Sequence, residues 1–216
     1  MFKDLKLVIF DMDGLMFNTE RVLIDERLDH FKRLNMNVDE SVLYQTLGTT
    51  SFDLNTIIKG DIPEGVSIAS IFEETSEKVI KDLSTNGVPK KPGLDELMDF
   101  LDSKNIPMAI ASSTHSKRAM LFLKKEDLLS RFKVIVCGDD VERVKPYPDV
   151  FLKTCELTNT NINQALVLED SKNGAIAAYK AGIKCVIVPD IVEPDEEVKE
   201  IAYCIVDSLK DVIALF

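Results

Sequence analysis

Residues 5–14 read Leu-Lys-Leu-Val-Ile-Phe-Asp-Met-Asp-Gly. Leu5–Phe10 is a short, mostly apolar run, and the carboxylates of Asp11 and Asp13 follow two residues apart, before Gly14. An apolar run of this length, closed by a turn residue, predicts a strand buried on both faces. If the backbone stays extended past Phe10, Asp11 and Asp13 point the same way. Gly14 then permits a sharp change of direction.

Similar runs recur at Pro107–Ala111, Lys133–Cys137, Ala165–Leu168 and Lys184–Val188. Helix-like stretches lie between them, at Gly93–Ser103, Ser116–Leu123, Asp149–Leu157 and Asn173–Ala181. This alternation predicts a doubly wound, mostly parallel, Rossmann-like α/β sheet. Between Phe10 and Pro107 no convincing strand occurs. Residues 19–34 carry Val22, Leu23, Leu28, Phe31 and Leu34 with charges on the other face, an amphipathic helix. Helical pattern continues at Asp39–Thr46, Ser51–Ile58 and Ser67–Leu83. Residues 16–88 therefore read as an all-helical insert, and 1–15 with 89–216 as the α/β core. The expected hinges are Leu15–Asn18 and the turn-rich Thr85–Pro92.

The chain has 216 residues, 45% of them hydrophobic, enough to bury a core without disulfides or metal staples. It carries 37 Asp and Glu against 26 Lys and Arg, a net charge of −11. That balance argues against nucleic acid or an anionic membrane as partner. It leaves room for a small anionic substrate held by a local cation. No apolar run approaches the ~18 residues of a membrane span, and the first residues are too short a run for a secretory signal. The four cysteines, Cys137, Cys155, Cys185 and Cys204, form no C-x-x-C pair. They read as reduced, buried thiols of a cytoplasmic protein.

In open α/β sheets ligands bind beyond the carboxyl ends of the strands, so the residues that follow each run carry the functional reading. Asp11 and Asp13 suit a metal-assisted nucleophile with an acid/base partner, or a solvated strand-end turn. Ser112, Ser113, Thr114 and His115 suit a phosphate cradle, or the N-cap of the next helix. Lys145, followed by Pro146-Tyr147-Pro148-Asp149, suits an inward-facing fixed cation, or a surface lysine before a helix. Glu169 and Asp170, with Ser171, suit a hard cation with oxygen ligands, or another cap. Four such clusters at four strand ends, taken together, favour the functional reading over independent caps.

The order and strand context of Asp11-Met12-Asp13-Gly14, Ser112, Lys145 and Glu169-Asp170 resemble the haloacid dehalogenase superfamily, in its phosphatase and phosphomutase branch. The sequence looks most like the β-phosphoglucomutase-like and sugar-phosphate phosphatase subgroup, with 16–88 as its small helical cap. The resemblance implies that Asp11 is the nucleophile and Asp13 the general acid and base. It implies that Ser112 and Lys145 bind the transferring phosphate, with Ser113, Thr114 and His115 beside it. Mg²⁺ would be held by Asp11, the Asp13 carbonyl and Asp170, with Glu169 ligating directly or through water. The cap loop Leu47-Gly48-Thr49-Thr50-Ser51 would contribute Gly48 and Thr49 to substrate binding.

Asp13 separates the chain from the dehalogenases, which lack this second acid. The start of the insert shows no lysine for a phosphonate-hydrolase Schiff base. Where β-phosphoglucomutases carry lysine and arginine in the cap loop this chain has Leu47 and Ser51, and where they carry histidine it has Leu23. The expectation is a monomeric, Mg²⁺-dependent phosphatase of a small phosphorylated metabolite, a sugar phosphate or nucleoside monophosphate, working through an aspartyl-phosphate. The alternatives are a β-phosphoglucomutase-type phosphohexomutase and, in another class, a non-catalytic regulatory module.

Overall fold

The computed structural model describes residues 4–47, 54–58, 63 and 65–216. Gly48, Thr49, Thr50 and Ser51 lie outside the described residues. Six parallel strands form one sheet: β1 (Leu7–Phe10), β2 (Met108–Ala111), β3 (Phe132–Val136), β4 (Ala165–Glu169), β5 (Lys184–Ile187) and β6 (Cys204–Ile205). Their order is β3-β2-β1-β4-β5-β6, so the chain winds from β1 to one edge and returns to build the other. The doubly wound α/β fold read from the alternation is the observed one. The edge strand β6 has no counterpart among the predicted runs, because two residues are too few to show a period.

The strands are apolar throughout because both faces are covered. Side chains alternate between two cores. Val8 and Phe10 of β1 point into one with α5 (Leu94–Ser103) and α6 (Ser116–Lys125), through Leu97, Met98, Leu101 and Phe122. Leu7 and Ile9 point into the other with α7 (Asp149–Thr158) and α8 (Lys172–Ala181), through Phe151, Cys155, Ala177 and Ala178. Cys137, Cys155 and Cys185 are buried free thiols and Cys204 is half-buried.

Phe10 lies level with Ile110 of β2 and Leu168 of β4. This register places Asp11 level with Glu169 at the carboxyl edge of the sheet, with Ser112 one residue further along on the other side. Two short helices, α9 (Glu196–Ile201) and α10 (Leu209–Val212), complete the chain.

After β1 the described residues are helical: α1 (Thr19–Arg33), α2 (Glu40–Tyr44), α3 (Leu54–Ile57) and α4 (Ile68–Asn86). Asp39 and Ser67 cap α2 and α4 through their side chains. These helices have their own small core, built on Ile24, Phe31, Met36, Leu43, Ile58, Ile68 and Ile71. Leu23, Val79 and Leu83 instead join the core on the sheet. The two connections to the sheet run side by side: Phe17 bridges Lys90, Asn18 N–H donates to Pro89 O at 2.8 Å, and Lys91 N–H to Met16 O at 2.8 Å. We place the boundaries of the helical insert at these paired connections. No helix among the described residues is long and apolar enough to cross a membrane.

Candidate active site

Lys145 occupies the centre of the strand-end cluster and is only 6% exposed. Its three N–H bonds find three acceptors: a carboxylate oxygen of Asp11, Ala111 O at 2.8 Å, and Glu169 Oε1 at 2.6 Å. Burial opposes its charge, and the Asp11 and Glu169 carboxylates overcome that cost and hold the ammonium above the ordinary lysine range.

Glu169 is fully buried. One oxygen serves Lys145, and the other accepts from Asp170 N–H at 2.9 Å, Ser171 N–H at 3.0 Å and Ser171 Oγ–H at 3.0 Å. Ser171 Oγ in turn accepts from Gly174 N–H at 3.1 Å and caps α8. A Cβ on Gly174 would fall 1.8 Å from Glu169 Cδ, so only glycine lets the first turn of α8 lie against this carboxylate. Glu169 therefore has its lone pairs committed to Lys145 and the β4–α8 turn.

Asp11 is 7% exposed. Burial pushes its carboxyl up to about 8 against the pull of Lys145, with Glu169 and Asp13 adding repulsion. Asp170 is pushed well above the usual carboxylate range by burial and by the charges of Glu169, Asp11, Asp190 and Glu20. Asp190 Oδ1 accepts from Lys91, and its buried Oδ2 has no partner among the described residues. Gly14 sits at φ +86°, and a Cβ there would stand 2.2 Å from Asp170 Oδ2 and 3.3 Å from Asp190 Oδ2. The Asp13-Gly14 backbone therefore passes directly over these carboxylates.

This corner collects more negative charge than its cations balance and leaves a buried oxygen orphaned, which fits a hard divalent cation. Among the described residues no three His, Cys, Asp or Glu side chains are grouped so as to hold a metal ion by themselves.

Asp13 is held from three sides. Its Oδ1 accepts from Thr19 Oγ–H at 2.7 Å, and its Oδ2 from the Thr114 hydroxyl and from Arg118 at 2.8 Å. Arg118 donates to the Thr114 hydroxyl as well. Ser112 is 2% exposed, and its Oγ accepts from Thr114 N–H at 3.1 Å, which leaves its own proton free for a ligand. Ser113 is exposed. His115 is exposed and acts as the N-cap of α6, its Nδ1 accepting from Lys117 N–H at 3.3 Å.

These groups line one cavity of about 830 Å³. Asp11, Asp13, Ser112, Ser113, Thr114, His115, Lys145 and Asp170 form its sheet side, and Glu20, Leu23, Arg27, Tyr44, Leu47, Ser76 and Ile80 its helical side. Every sequence-predicted site residue on the sheet reaches it except Glu169, which lies behind Lys145.

Among the groups that escaped the sequence reading are Arg27, Arg118 and Asp190, which line the cavity, and Thr19, which donates to Asp13. Two carried a signal. Arg118 stands four residues after Thr114, one helical turn away. Arg27 sits midway between Leu23 and Phe31 on the apolar stripe of α1, where a charge is out of place.

The model for haloacid dehalogenase-like hydrolases matches residues 8–188. The chain belongs to that family. Among curated members it is 30% identical over 183 residues to the phosphorylated carbohydrates phosphatase of Thermotoga maritima, covering 83% of each chain. It is 32% identical over 212 residues to (DL)-glycerol-3-phosphatase 2 of Arabidopsis thaliana, covering 94% of this chain and 87% of that one. A β-phosphoglucomutase-like structure from Thermotoga maritima superposes with TM-score 0.80 at 27% identity, over 98% of both chains. CbbY from Rhodobacter sphaeroides, solved with phosphate, superposes with TM-score 0.76 at 25% identity, over 96% of both. Within the haloacid dehalogenase-like hydrolases the chain is an enzyme of the phosphoric monoester hydrolase class.

Proposed function

We propose that the chain is a Mg²⁺-dependent phosphatase of a small phosphorylated metabolite of the sugar-phosphate type, with Asp11 as nucleophile. The observation that carries this reading is the Asp11 carboxylate held by buried Lys145 at the floor of the cavity, with Asp13 and Asp170 on either side. The phosphatases of phosphorylated carbohydrates and of glycerol 3-phosphate among the relatives support the substrate class.

Asp11, the Asp13 carbonyl and Asp170 would hold the cation. When bound it supplies positive charge that lets an anionic phosphate approach an anionic nucleophile. The Asp11 oxygen attacks phosphorus while the phosphorus–ester oxygen bond breaks, giving an aspartyl-phosphate and an alcohol. Asp13 gives its proton to the departing oxygen. It then takes a proton from the water that attacks the phosphoryl group, which regenerates the Asp11 carboxylate and releases inorganic phosphate. Lys145 neutralises charge on the transferring oxygens, and Ser112 donates its free hydroxyl proton to one of them. Glu169 acts through Lys145, fixing where that ammonium stands. The helical insert closes over the cavity about the paired connections at Phe17 and Lys90 and excludes water.

Phosphate release from a panel of phosphorylated metabolites, with Mg²⁺ and with EDTA, tests this beside Asp11→Asn. The expected result is release that needs both the metal and Asp11. Release that survives either removal would sink the mechanism. Conversion of β-glucose 1-phosphate to glucose 6-phosphate with little release would replace the phosphatase by a mutase.

A further inference from the structure

We infer that Arg27 and Arg118 form a second anion-binding subsite in the cavity, so that the substrate is a phosphate monoester whose leaving group carries a further carboxylate or phosphate. The inference deepens the phosphatase reading and rests on it for the direction in which the substrate lies.

Arg27 is 9% exposed, yet among the described residues no carboxylate hydrogen-bonds or ion-pairs with it. Its guanidinium packs over the Phe72 ring at 4.1 Å and makes one long hydrogen bond, 3.4 Å, to the neutral Ser76 hydroxyl. Its Nε is buried without any acceptor. A buried cation left in this state costs far more than a paired one, and a stable fold keeps it at a place where an anion arrives.

Arg118 approaches the same cavity from the opposite, sheet-side wall. It spends one terminal nitrogen on Asp13 and Thr114, and its Nε is likewise buried with no acceptor. Each guanidinium lies close enough to feel the other's positive charge. The Glu20 carboxylate offsets part of each charge through space, but among the described residues no hydrogen bond joins it to either guanidinium.

Two planar forks with unspent donors, facing one cavity from two walls, match the oxygens of a carboxylate or phosphate. Their position gives the subsite its meaning. Arg118 touches Asp13, the group that protonates the departing oxygen, so the arginines lie on the leaving-group side of the phosphate. The cation that Leu47 does not supply to the cavity is supplied instead by α1 and α6.

Binding of non-hydrolysable phosphonates tests this independently of turnover. Titration calorimetry in Mg²⁺ compares 3-phosphonopropionate, which carries a carboxylate, with propylphosphonate, which does not. We expect the carboxylate to tighten binding by about tenfold or more, and Arg27→Gln or Arg118→Gln to remove most of that preference. Propylphosphonate is the internal control, since a variant that fails to fold loses both ligands. Arg27→Lys keeps the charge without the fork and is expected to keep part of the preference. Equal affinity for the two phosphonates in the wild-type protein, or a preference unchanged in both glutamine variants, would overturn the inference. Discrimination between the phosphonates without any phosphate release from esters would sink the phosphatase reading and leave the subsite standing. Release from esters without discrimination would do the reverse.

Discussion

Glu169 and Lys145 are 24 residues apart in sequence, and the Lys145 ammonium donates to Glu169 Oε1 at 2.6 Å in a site where the carboxylate has no exposure at all. Breaking a buried pair leaves the surviving charge unpaired in a low-dielectric place, which costs about 3–5 kcal/mol. Glu169→Gln is expected to lower the melting temperature by several degrees and kcat by about 10–100-fold, since Lys145 loses the group that aims it. Gly174→Ala is expected to do much the same without touching either charge, because its Cβ would meet Glu169 Cδ at 1.8 Å. Thermal unfolding and initial rates on both variants check this. A Gly174→Ala protein with wild-type rate would show that Glu169 does not position Lys145.

Lys145→Met removes the cation while leaving much of the volume. Its loss is expected to reduce kcat by about 10²–10³-fold, the usual cost of one preorganised group at a developing negative charge. Stability should fall less than in Lys145→Ala, which also opens a cavity against Phe151. Steady-state kinetics with unfolding curves on the pair separates the two effects.

Asp170 makes no hydrogen bond to another side chain among the described residues, so its carboxylate is free to ligate. Asp170→Asn removes one negative charge from a crowded corner and is expected to stabilise the metal-free fold slightly. It should raise the Mg²⁺ concentration for half-maximal activity by about tenfold or more. Calorimetric Mg²⁺ titration of wild type and variant reads the affinity directly. Unchanged affinity would remove Asp170 from the ligand set.

Thr114 and Arg118 hold Asp13 Oδ2 in place. A hydrogen bond to a charged group is worth about 1.5–3 kcal/mol. Thr114→Val is therefore expected to slow hydrolysis of alkyl phosphates by about 10–100-fold. It should slow p-nitrophenyl phosphate much less, because that leaving group needs no proton. Equal slowing of both esters would argue that Thr114 serves phosphate binding and not acid catalysis.

Burial, with the charge of Asp13 next, pushes the Glu20 carboxyl from 4.5 up to about 7, against Arg118 and Arg27. An acid whose folded value is raised stabilises the fold while protonated, and that contribution is lost as pH climbs from 4.5 through 7. Glu20→Gln is thus expected to match wild type in melting temperature near pH 4.5 and exceed it by a few degrees at pH 8. A difference that is constant across that window would rule out the titration.

The strands and the groups at their ends were legible from sequence because both are local. An apolar run such as Leu7–Phe10 announces a doubly covered strand, and parallel topology sends the residues after every strand to the same edge. Hence Asp11, Asp13, Ser112, Lys145 and Asp170 could be named from their place after a run, and the helical stretch after β1 from its period. What each group touches was not local. Arg118 meets Asp13 across 105 residues, and Glu169 reaches Lys145 and its own turn because Gly174 leaves it room. Arg27 stood in the sequence only as a misplaced charge on an apolar helix face. It became a cavity wall when α1 packed against α4 and faced the sheet. Sequence alone determined the α/β layout and the inventory of polar groups at the strand ends, since periodicity and strand order are written along the chain. Tertiary packing alone decided which carboxylate anchors, which can ligate, and where two guanidiniums with unspent donors line one cavity, since burial and hydrogen-bond partners depend on residues far apart in the chain.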